Sequence, residues 1–420
     1  MELKPGYKRT EVGVIPEDWV VRPLLSAVRI ANGQVNPRCE PFRSMTLVAP
    51  DHIESGSGRL LKRVTAGDQH AISGKYRFDA GDIVYSKIRP YLRKAICAGF
   101  DGLCSADMYP LKPASDISAG FVLAVILDDK FSRYAESVSV RSGMPKINRI
   151  EMAAYSLPFP HTKAEQEAIA EALSDADALI ESLDQLIAKK RDLKQGVMQE
   201  LLTGKKRLPG YSMTAEYKST DLGSVPGDWD VVAMGSVSDC LIGLTYSPLD
   251  VREFGTLVLR SSNVQDCQLR FDDNVYVEME IPQRAITREG DILVCVRNGS
   301  RQLIGKCALI DKSTAGSAFG AFMSVLRSDS AQFLLFQFQS DIVKRQINEV
   351  MGATINQITN KDLATFRVIW PSTSAERTAI ATILSDMDGE LAELQSRLAK
   401  ARQIKQGMMQ ELLTGRIRLL

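Results

Sequence analysis

No two cysteines in this chain form a Cys-x-x-Cys pair. The seven present, Cys39, Cys97, Cys104, Cys240, Cys267, Cys295 and Cys307, are scattered and odd in number. That pattern argues against a zinc site and a disulfide framework, and a reducing cytoplasm is the expected setting. Histidine is scarce: His52, His70 and His161 stand far apart, which gives no support to a histidine-rich metal site. Long apolar runs are missing too. Stretches such as Phe121 to Leu127 fall far short of the roughly 20 residues that span a bilayer, so no membrane partner is expected. The opening residues Met1 to Gly6 lack the apolar core of a secretion signal. An excess of one charge is also absent, because 52 Lys and Arg against 51 Asp and Glu leave a net charge of +1. A stand-alone nucleic-acid binder would be markedly basic. Any DNA-binding surface must therefore be local, or other subunits must supply much of the phosphate contact.

Catalytic signatures are lacking as well. The stretch from Gly299 to Lys306 resembles a phosphate loop only loosely: it has five residues between its glycines, and Cys307 stands where Ser or Thr should hold magnesium. Asn36-Pro37 is followed by Arg38, not by the proline and aromatic of an adenine-methyltransferase motif. No glycine-rich strand-to-helix turn suggests a bound methyl donor, and no carboxylates show nuclease spacing. The chain reads as non-catalytic, with no cofactor or metal of its own.

What is present is a repeat. A length of 420 residues suggests two or three domains, and self-comparison supplies them. Residues 164–204 align without gaps on 375–415, with 23 of 41 positions identical. The run Met198-Gln199-Glu200-Leu201-Leu202-Thr203-Gly204 recurs from Met409 to Gly415. Tyr7-Lys8 through Pro16, Asp18 and Trp19 recurs as Tyr217-Lys218 through Pro226, Asp228 and Trp229. The intervening blocks, about 25–155 and 235–365, match poorly. Their shared anchors are Gly81-Asp82-Ile83 with Gly290-Asp291-Ile292, and Ile147-Asn148 with Ile355-Asn356. A duplicated enzyme would be expected to keep its chemical centre in both copies. This chain keeps a frame and varies the middle, as a reader of two different targets would.

The repeated ends read as long helices. Thr162 to Glu165 and Thr373 to Glu376 fit the Ser/Thr-x-x-Glu capping box. Apolar residues then follow at alternating spacings of four and three: Ile169, Leu173, Ala176, Ile180, Leu183 and Ile187, and in the second copy Ile380, Leu384, Met387, Leu391, Leu394 and Leu398. This is a coiled-coil seam. Gly204 and Gly415 suit C-terminal caps. Gly196 and Gly407 lie inside the pattern, where they mark close packing or a bend. Each helix should run about 38 residues, roughly 57 Å at 1.5 Å per residue. Pairing of the two helices within the chain buries both seams, and so would dimerisation. A pseudo-twofold between the halves would make the pairing antiparallel.

The expected fold is α+β: two globular mixed α/β domains, 1–160 and 210–371, joined by two long antiparallel coiled-coil helices in segments 161–209 and 372–420. Within the inserts, Ile83 to Ser86 and Ile292 to Val296 read as strands, and Phe121 to Val138 and Phe333 to Val350 as amphipathic helices. Polar turns follow both strands. The first carries Lys87, Arg89, Tyr91, Arg93 and Lys94; nearby are Arg38, Arg43, Lys62, Arg63, Arg141, Lys146 and Asn148. The second carries Arg297, Asn298, Ser300, Arg301 and Gln302, with Arg260, Ser262, Asn263, Asn356 and Gln357 as further candidates. Arginine pairs well with guanine, and Asn or Gln with adenine, in the major groove. Any one of these runs could equally be a solvated loop, but their matching placement after the Gly-Asp-Ile strands favours a shared role.

Taken together, the paired Thr-x-x-Glu helix starts with Leu-Ser-Asp-x-Asp, the paired Lys-Gln-Gly-x-Met-Gln-Glu-Leu-Leu-Thr-Gly ends and the Ile-Pro-Glu-Asp-Trp and Val-Pro-Gly-Asp-Trp segments resemble the specificity subunits of type I restriction-modification systems. The resemblance covers the whole chain. It implies two target-recognition domains, each reading one half of a split, asymmetric site on double-stranded DNA, with the helices fixing the gap. It also implies two methyltransferase subunits that modify adenine with S-adenosylmethionine, and two motor-nuclease subunits that use ATP and magnesium. Other readings are the recognition subunit of a methylation-only or other DNA-modification system, and a coiled-coil scaffold with no DNA role.

Overall fold

The computed structural model describes residues 5–139, 145–211, 216–351 and 356–419. The chain divides into two compact units: unit 1 comprises Met1–Gln185 and Gln395–Leu420, and unit 2 comprises Leu186–Leu394. The division therefore runs through both long helices, and each unit holds part of each.

Unit 1 opens with a hairpin of β1 (Tyr7–Thr10) and β2 (Gly13–Pro16). Its core sheet is antiparallel in the order β4, β7, β5, β6, where β4 is Val28–Ile30, β5 Ile83–Ser86, β6 Ala95–Cys97 and β7 Met108–Pro113. A separate pair, β3 (Val20–Pro23) with β8 (Ser156–Phe159), closes the insert at its two ends. Helices α1 (Ala119–Leu127), α2 (Asp129–Ser139) and α3 (Arg149–Ala153) complete the domain. Ile83, Tyr85, Leu111, Phe121 and Phe131 are buried together in its core. Ile83, Val84 and Tyr85 are all buried because the sheet is covered on both faces, which gives a continuous apolar run instead of strict alternation.

Unit 2 repeats this plan. The hairpin is β9 (Tyr217–Thr220) with β10 (Gly223–Pro226), and the closing pair is β11 (Trp229–Ala233) with β16 (Arg367–Pro371). The core sheet has the order β12 (Asp239–Ile242), β15 (Met323–Arg327), β13 (Ile292–Cys295), β14 (Cys307–Leu309). Helices α5 (Ala331–Gln339), α6 (Asp341–Val350) and α7 (Asn360–Thr365) follow. In both units the stretch expected as one amphipathic helix is two, broken at Asp128 and at Ser340, each extended in backbone.

The Gly-Asp-Ile anchor has a local cause. Gly81 and Gly290 sit at φ +92° and +84° in the turn before the central strand, a conformation that costs glycine little. The aspartate then ties the turn. Asp82 accepts the Asp79 N–H at 2.9 Å, and Asp291 accepts the Arg288 N–H at 2.7 Å. The other anchor needs correcting. Ile355 lies outside the described residues, and the backbone partner of Val296 is Ile358, whose N–H reaches the Val296 carbonyl at 2.8 Å just as Ile147 reaches Lys87 at 2.9 Å. Ile147 thus corresponds to Ile358, and Asn148 to Thr359. Both are helix caps, with Asn148 accepting from the Glu151 N–H and Thr359 from the Asp362 N–H.

The long helices are α4 (Lys163–Leu202) and α8 (Ser374–Leu412), of 40 and 39 residues. Within unit 1, Asp177 pairs with Lys405 and Asp184 with Arg402. Within unit 2, Lys190 pairs with Glu390 and Lys194 with Asp388. Rising numbers on α4 meet falling numbers on α8 in each unit, so the pairing is antiparallel. Ile169 and Leu173 pack with Met409, Leu412 and Leu413 in unit 1, and Ile380 and Leu384 with Met198, Leu201 and Leu202 in unit 2. Leu183, Ile187, Leu391, Leu394 and Leu398 are also buried, whereas Ile180 is half-buried. Gly196 and Gly407 face open space, so close packing does not explain them.

The capping boxes are only half formed. Thr162 and Thr373 accept the N–H of Glu165 and Glu376 at 3.2 and 3.3 Å, but the glutamates do not turn back to the cap. Instead Glu165 accepts from Trp19 Nε1 at 3.3 Å and from Arg418, which also clasps Asp18. Glu376 accepts from Trp229 Nε1 at 3.0 Å and from Arg207, which also clasps Asp228. Both tryptophans are fully buried. Gly204 and Gly415, at φ +70°, abut this cluster. A Cβ at Gly204 would meet Pro226 at 2.5 Å, and one at Gly415 would meet Pro16 at 2.5 Å.

Candidate nucleic-acid interface

In unit 1, β5 leaves the sheet through Lys87, Ile88 and Arg89, and three segments meet there. Lys87 N–H donates to the Asp107 carbonyl at 3.0 Å, and Arg89 N–H to Pro145 at 2.8 Å. Ile88 and Lys146 face each other in an antiparallel bridge. Above this backbone Lys87 Nζ lies 5.0 Å from the Tyr109 ring centroid, and the Arg149 guanidinium 5.7 Å from it. Burial pushes the Tyr109 phenol up, so the ring stays neutral at physiological pH. Arg149 also donates to Asn32 and to the Ala31 carbonyl. Arg89, Lys146 and Asp107 are exposed. The result is a polar edge of both charges on a rigid strand end.

Unit 2 builds the same edge from different residues. Val296 N–H donates to the Phe322 carbonyl at 3.0 Å, and Arg297 faces Gln357 in the matching bridge. Residue by residue, Val296 corresponds to Lys87, Arg297 to Ile88, Phe322 to Asp107 and Gln357 to Lys146. The Arg297 guanidinium lies 4.9 Å from the Phe322 ring centroid. Asn298 donates to Ser261 Oγ at 2.7 Å and accepts the Ser300 N–H at 2.9 Å, while Asn356 donates to the Gly299 carbonyl at 3.1 Å. Lys306 donates to the carbonyls of Ser261 and Val264. It is therefore an internal brace, and the Gly299 to Lys306 loop has no phosphate-loop character.

The structure sorts the nominated residues. It brings Lys87, Arg89 and Lys146 together at one edge, and Arg297, Asn298, Ser300, Asn356 and Gln357 at the other. Tyr91 is exposed at the adjoining turn, and Gln302 is exposed after Ser300. Others are engaged in the fold. Arg93 pairs with Asp129, and Lys94 donates to the Pro50 carbonyl at 2.7 Å. Asn148 caps α3. Arg301 turns back to the Asn348 and Met351 carbonyls at the end of α6. Arg260 pairs with Asp273. Asn263 is fully buried and bonded to Arg260, Arg270 and Asn274; it holds a turn and has no surface to offer a base. Ser262 Oγ is buried without a partner. Arg38 and Arg43 are exposed on another segment, with the Arg43 carbonyl accepting from Gly67 at 2.9 Å. Lys62 is exposed, and Arg63 covers the Phe100 ring at 4.3 Å. Arg141 lies outside the described residues.

Sequence reasoning missed Tyr109, Arg149 and Phe322. Tyr109 and Phe322 sit in or beside apolar strand runs that read as core. Yet Phe322 is 55% exposed, because it stands one residue before β15, where the sheet ends. The cue was its place beside the strand boundary, not its residue type. Among the described residues, no group of three or more His, Cys, Asp or Glu could hold a metal ion, and no helix is long and apolar enough to cross a membrane.

Comparison with known proteins shows the family of the chain. The family model of the type I restriction modification DNA specificity domain matches residues 62–189 and 226–402. The chain is similar to the type I restriction enzyme EcoDI specificity subunit of Escherichia coli, at 28% identity over 231 residues that cover 54% of this chain and 50% of that protein. It thus spans about half the length of that relative. It is also similar to the putative type I restriction enzyme MjaX specificity subunit of Methanocaldococcus jannaschii, at 24% identity, covering 99% of this chain and 97% of the other. The crystal structure of a type I restriction-modification system S subunit from M. genitalium shares the fold, with a TM-score of 0.62 at 14% identity over 98% of each chain.

Proposed function

The chain belongs to the type I restriction modification DNA specificity family, and from that premise we propose that it is the sequence-reading subunit of such a system, with each unit reading one half of a bipartite, asymmetric site on double-stranded DNA. One observation carries this reading. Both units present the same backbone edge, set by equivalent hydrogen bonds, and fill it with unlike side chains. A duplicated frame with divergent contact positions suits two different DNA words.

The chain itself performs no bond chemistry in this proposal. Two methyltransferase subunits dock on the helices and repeated segments and supply adenine methylation with S-adenosylmethionine. Two motor-nuclease subunits bring ATP and magnesium. Since phosphate contact dominates DNA affinity, a nearly neutral chain fits an assembly in which partners enclose the duplex and provide much of that contact. The helices hold the two readers at a fixed separation, and the complex works in the cytoplasm.

The test is methylome sequencing of a host carrying this chain with its methyltransferase partner. The expected result is one split adenine-methylated motif that disappears when this gene is deleted. Methylation that persists unchanged without the chain would refute the proposal.

A further inference from the structure

The edge in unit 2 has features that go beyond a generic polar turn. Phe322 exposes a large ring, and Arg297 lies across it. Stacking on an aromatic face fixes the plane of a guanidinium while leaving its N–H edge free. No other described residue pairs with the Arg297 guanidinium. Across the bridge stands Gln357, whose side-chain amide has no hydrogen bond among the described residues. Directly opposite residues in an antiparallel bridge hold their Cβ atoms about 4.5–5.5 Å apart, a separation that suits neighbouring base pairs about 3.4 Å apart along a strand. The backbone beneath is braced by Asn298, Asn356 and Lys306, so ordering the loop adds little cost on binding.

The two free groups have complementary chemistry. A guanidinium edge matches the O6 and N7 acceptors of guanine, and a glutamine amide matches the N6 donor and N7 acceptor of adenine. Unit 1 places Ile88, Lys146 and Asp107 at these three positions, and none of them offers a planar two-point contact to guanine. Resting on the DNA-reading role proposed above, we infer that Arg297, seated on Phe322 and flanked by Gln357, reads a guanine beside an adenine in the half-site of unit 2. Ile88, Asp107 and Lys146 then set a different word for unit 1.

The experiment is methylome sequencing of hosts carrying the full system with wild-type chain, Arg297→Gln, Arg297→Lys, Phe322→Ala, or the transplant Ile88→Arg with Asp107→Phe. Wild type should show a guanine next to an adenine in one half-site. Arg297→Gln should lower guanine preference at that position by roughly ten- to a hundredfold and leave the other half-site untouched. Arg297→Lys keeps the charge but not the fork, and should relax the same position. Phe322→Ala should keep the motif and lower the methylated fraction. The transplant should add guanine preference to the other half-site. A wild-type motif from both Arg297 variants overturns the inference, and so does equal loss in both halves. If Arg297→Gln abolishes methylation altogether, Arg297→Lys and the transplant decide: unchanged selectivity in both overturns it. A wild-type host with no split motif is a separate outcome that refutes the DNA-reading role itself.

Discussion

Trp229 donates its indole N–H to a carboxylate oxygen of Glu376 at 3.0 Å, both side chains being buried. Trp19 makes the same bond to Glu165 at 3.3 Å in the other unit. Each glutamate begins a long helix and also holds an arginine from the segment that follows the other long helix. Through that arginine the start of one helix is tied to the segment just after its neighbour, in both units alike.

Glu376→Ala should destabilise the protein by about 3 kcal/mol, because Arg207 and Trp229 would lose their partner in a buried site. Arg207 is 9% exposed there and Glu376 3%. Chemical denaturation should show a lower midpoint, with Glu165→Ala behaving alike. An unchanged midpoint would mean the clamp is ornamental.

The repeated glycines should separate into two classes. Gly196→Ala and Gly407→Ala meet nothing within 4 Å and should each stabilise by up to about 1 kcal/mol through helix propensity. Gly204→Ala and Gly415→Ala force a left-handed alanine against a proline and should destabilise. Thermal melting distinguishes the two signs.

Acid should weaken the clamps. The hydrogen bond from Arg207 holds the Asp228 carboxyl below its ordinary value of 3.8, and Arg418 does the same for Asp18. A depressed folded-state pKa contributes stability that is complete above the unfolded value and is lost as pH falls through the folded one. Asp228→Asn should therefore cost more stability at pH 6 than near pH 2. Urea midpoints at the two pH values measure this. An equal cost at both would assign the effect to shape and not to charge.

Exchange of residues 25–155 for another insert should alter one half-site only. The junctions adjoin β3 and β8, which pair across the ends of the insert, so the graft would sit on an intact seat. Change in both halves, read by methylome sequencing, would contradict modular recognition.

A heptad inserted into α4 between Asp184 and Lys190, and another into α8 between Glu390 and Arg402, keeps the seam in phase and adds about 10 Å of helix. Under the proposed ruler role the motif should keep both half-sites and widen its gap by about three base pairs. Retained methylation at the original gap would exclude that role.

The helices were legible because their information is local. Ile169, Leu173, Leu183, Ile187, Ile380, Leu384, Leu391, Leu394 and Leu398 declare themselves by spacing, and the structure buries all of them. The Gly-Asp-Ile turns were legible for the same reason. The contact edges were only partly so. A basic residue on a turn is equally able to reach a base or to fold back, and nothing local separates Arg297, stacked in the open, from Arg93, paired with Asp129.

The sequence by itself determined the duplication, the antiparallel-capable seams and the placement of variable blocks within a repeated frame, because periodicity and identity along the chain need no folding to be read. Only the tertiary structure decided that Thr-x-x-Glu is a tryptophan and arginine clamp, that Asn263 is a buried turn staple, and that Phe322 and Gln357 flank Arg297. The clamps and the Arg297 edge join residues from 21 to more than 250 positions apart, the Asn263 staple joins residues 3 to 11 apart, and it is packing within each unit that brings them within hydrogen-bonding or stacking distance.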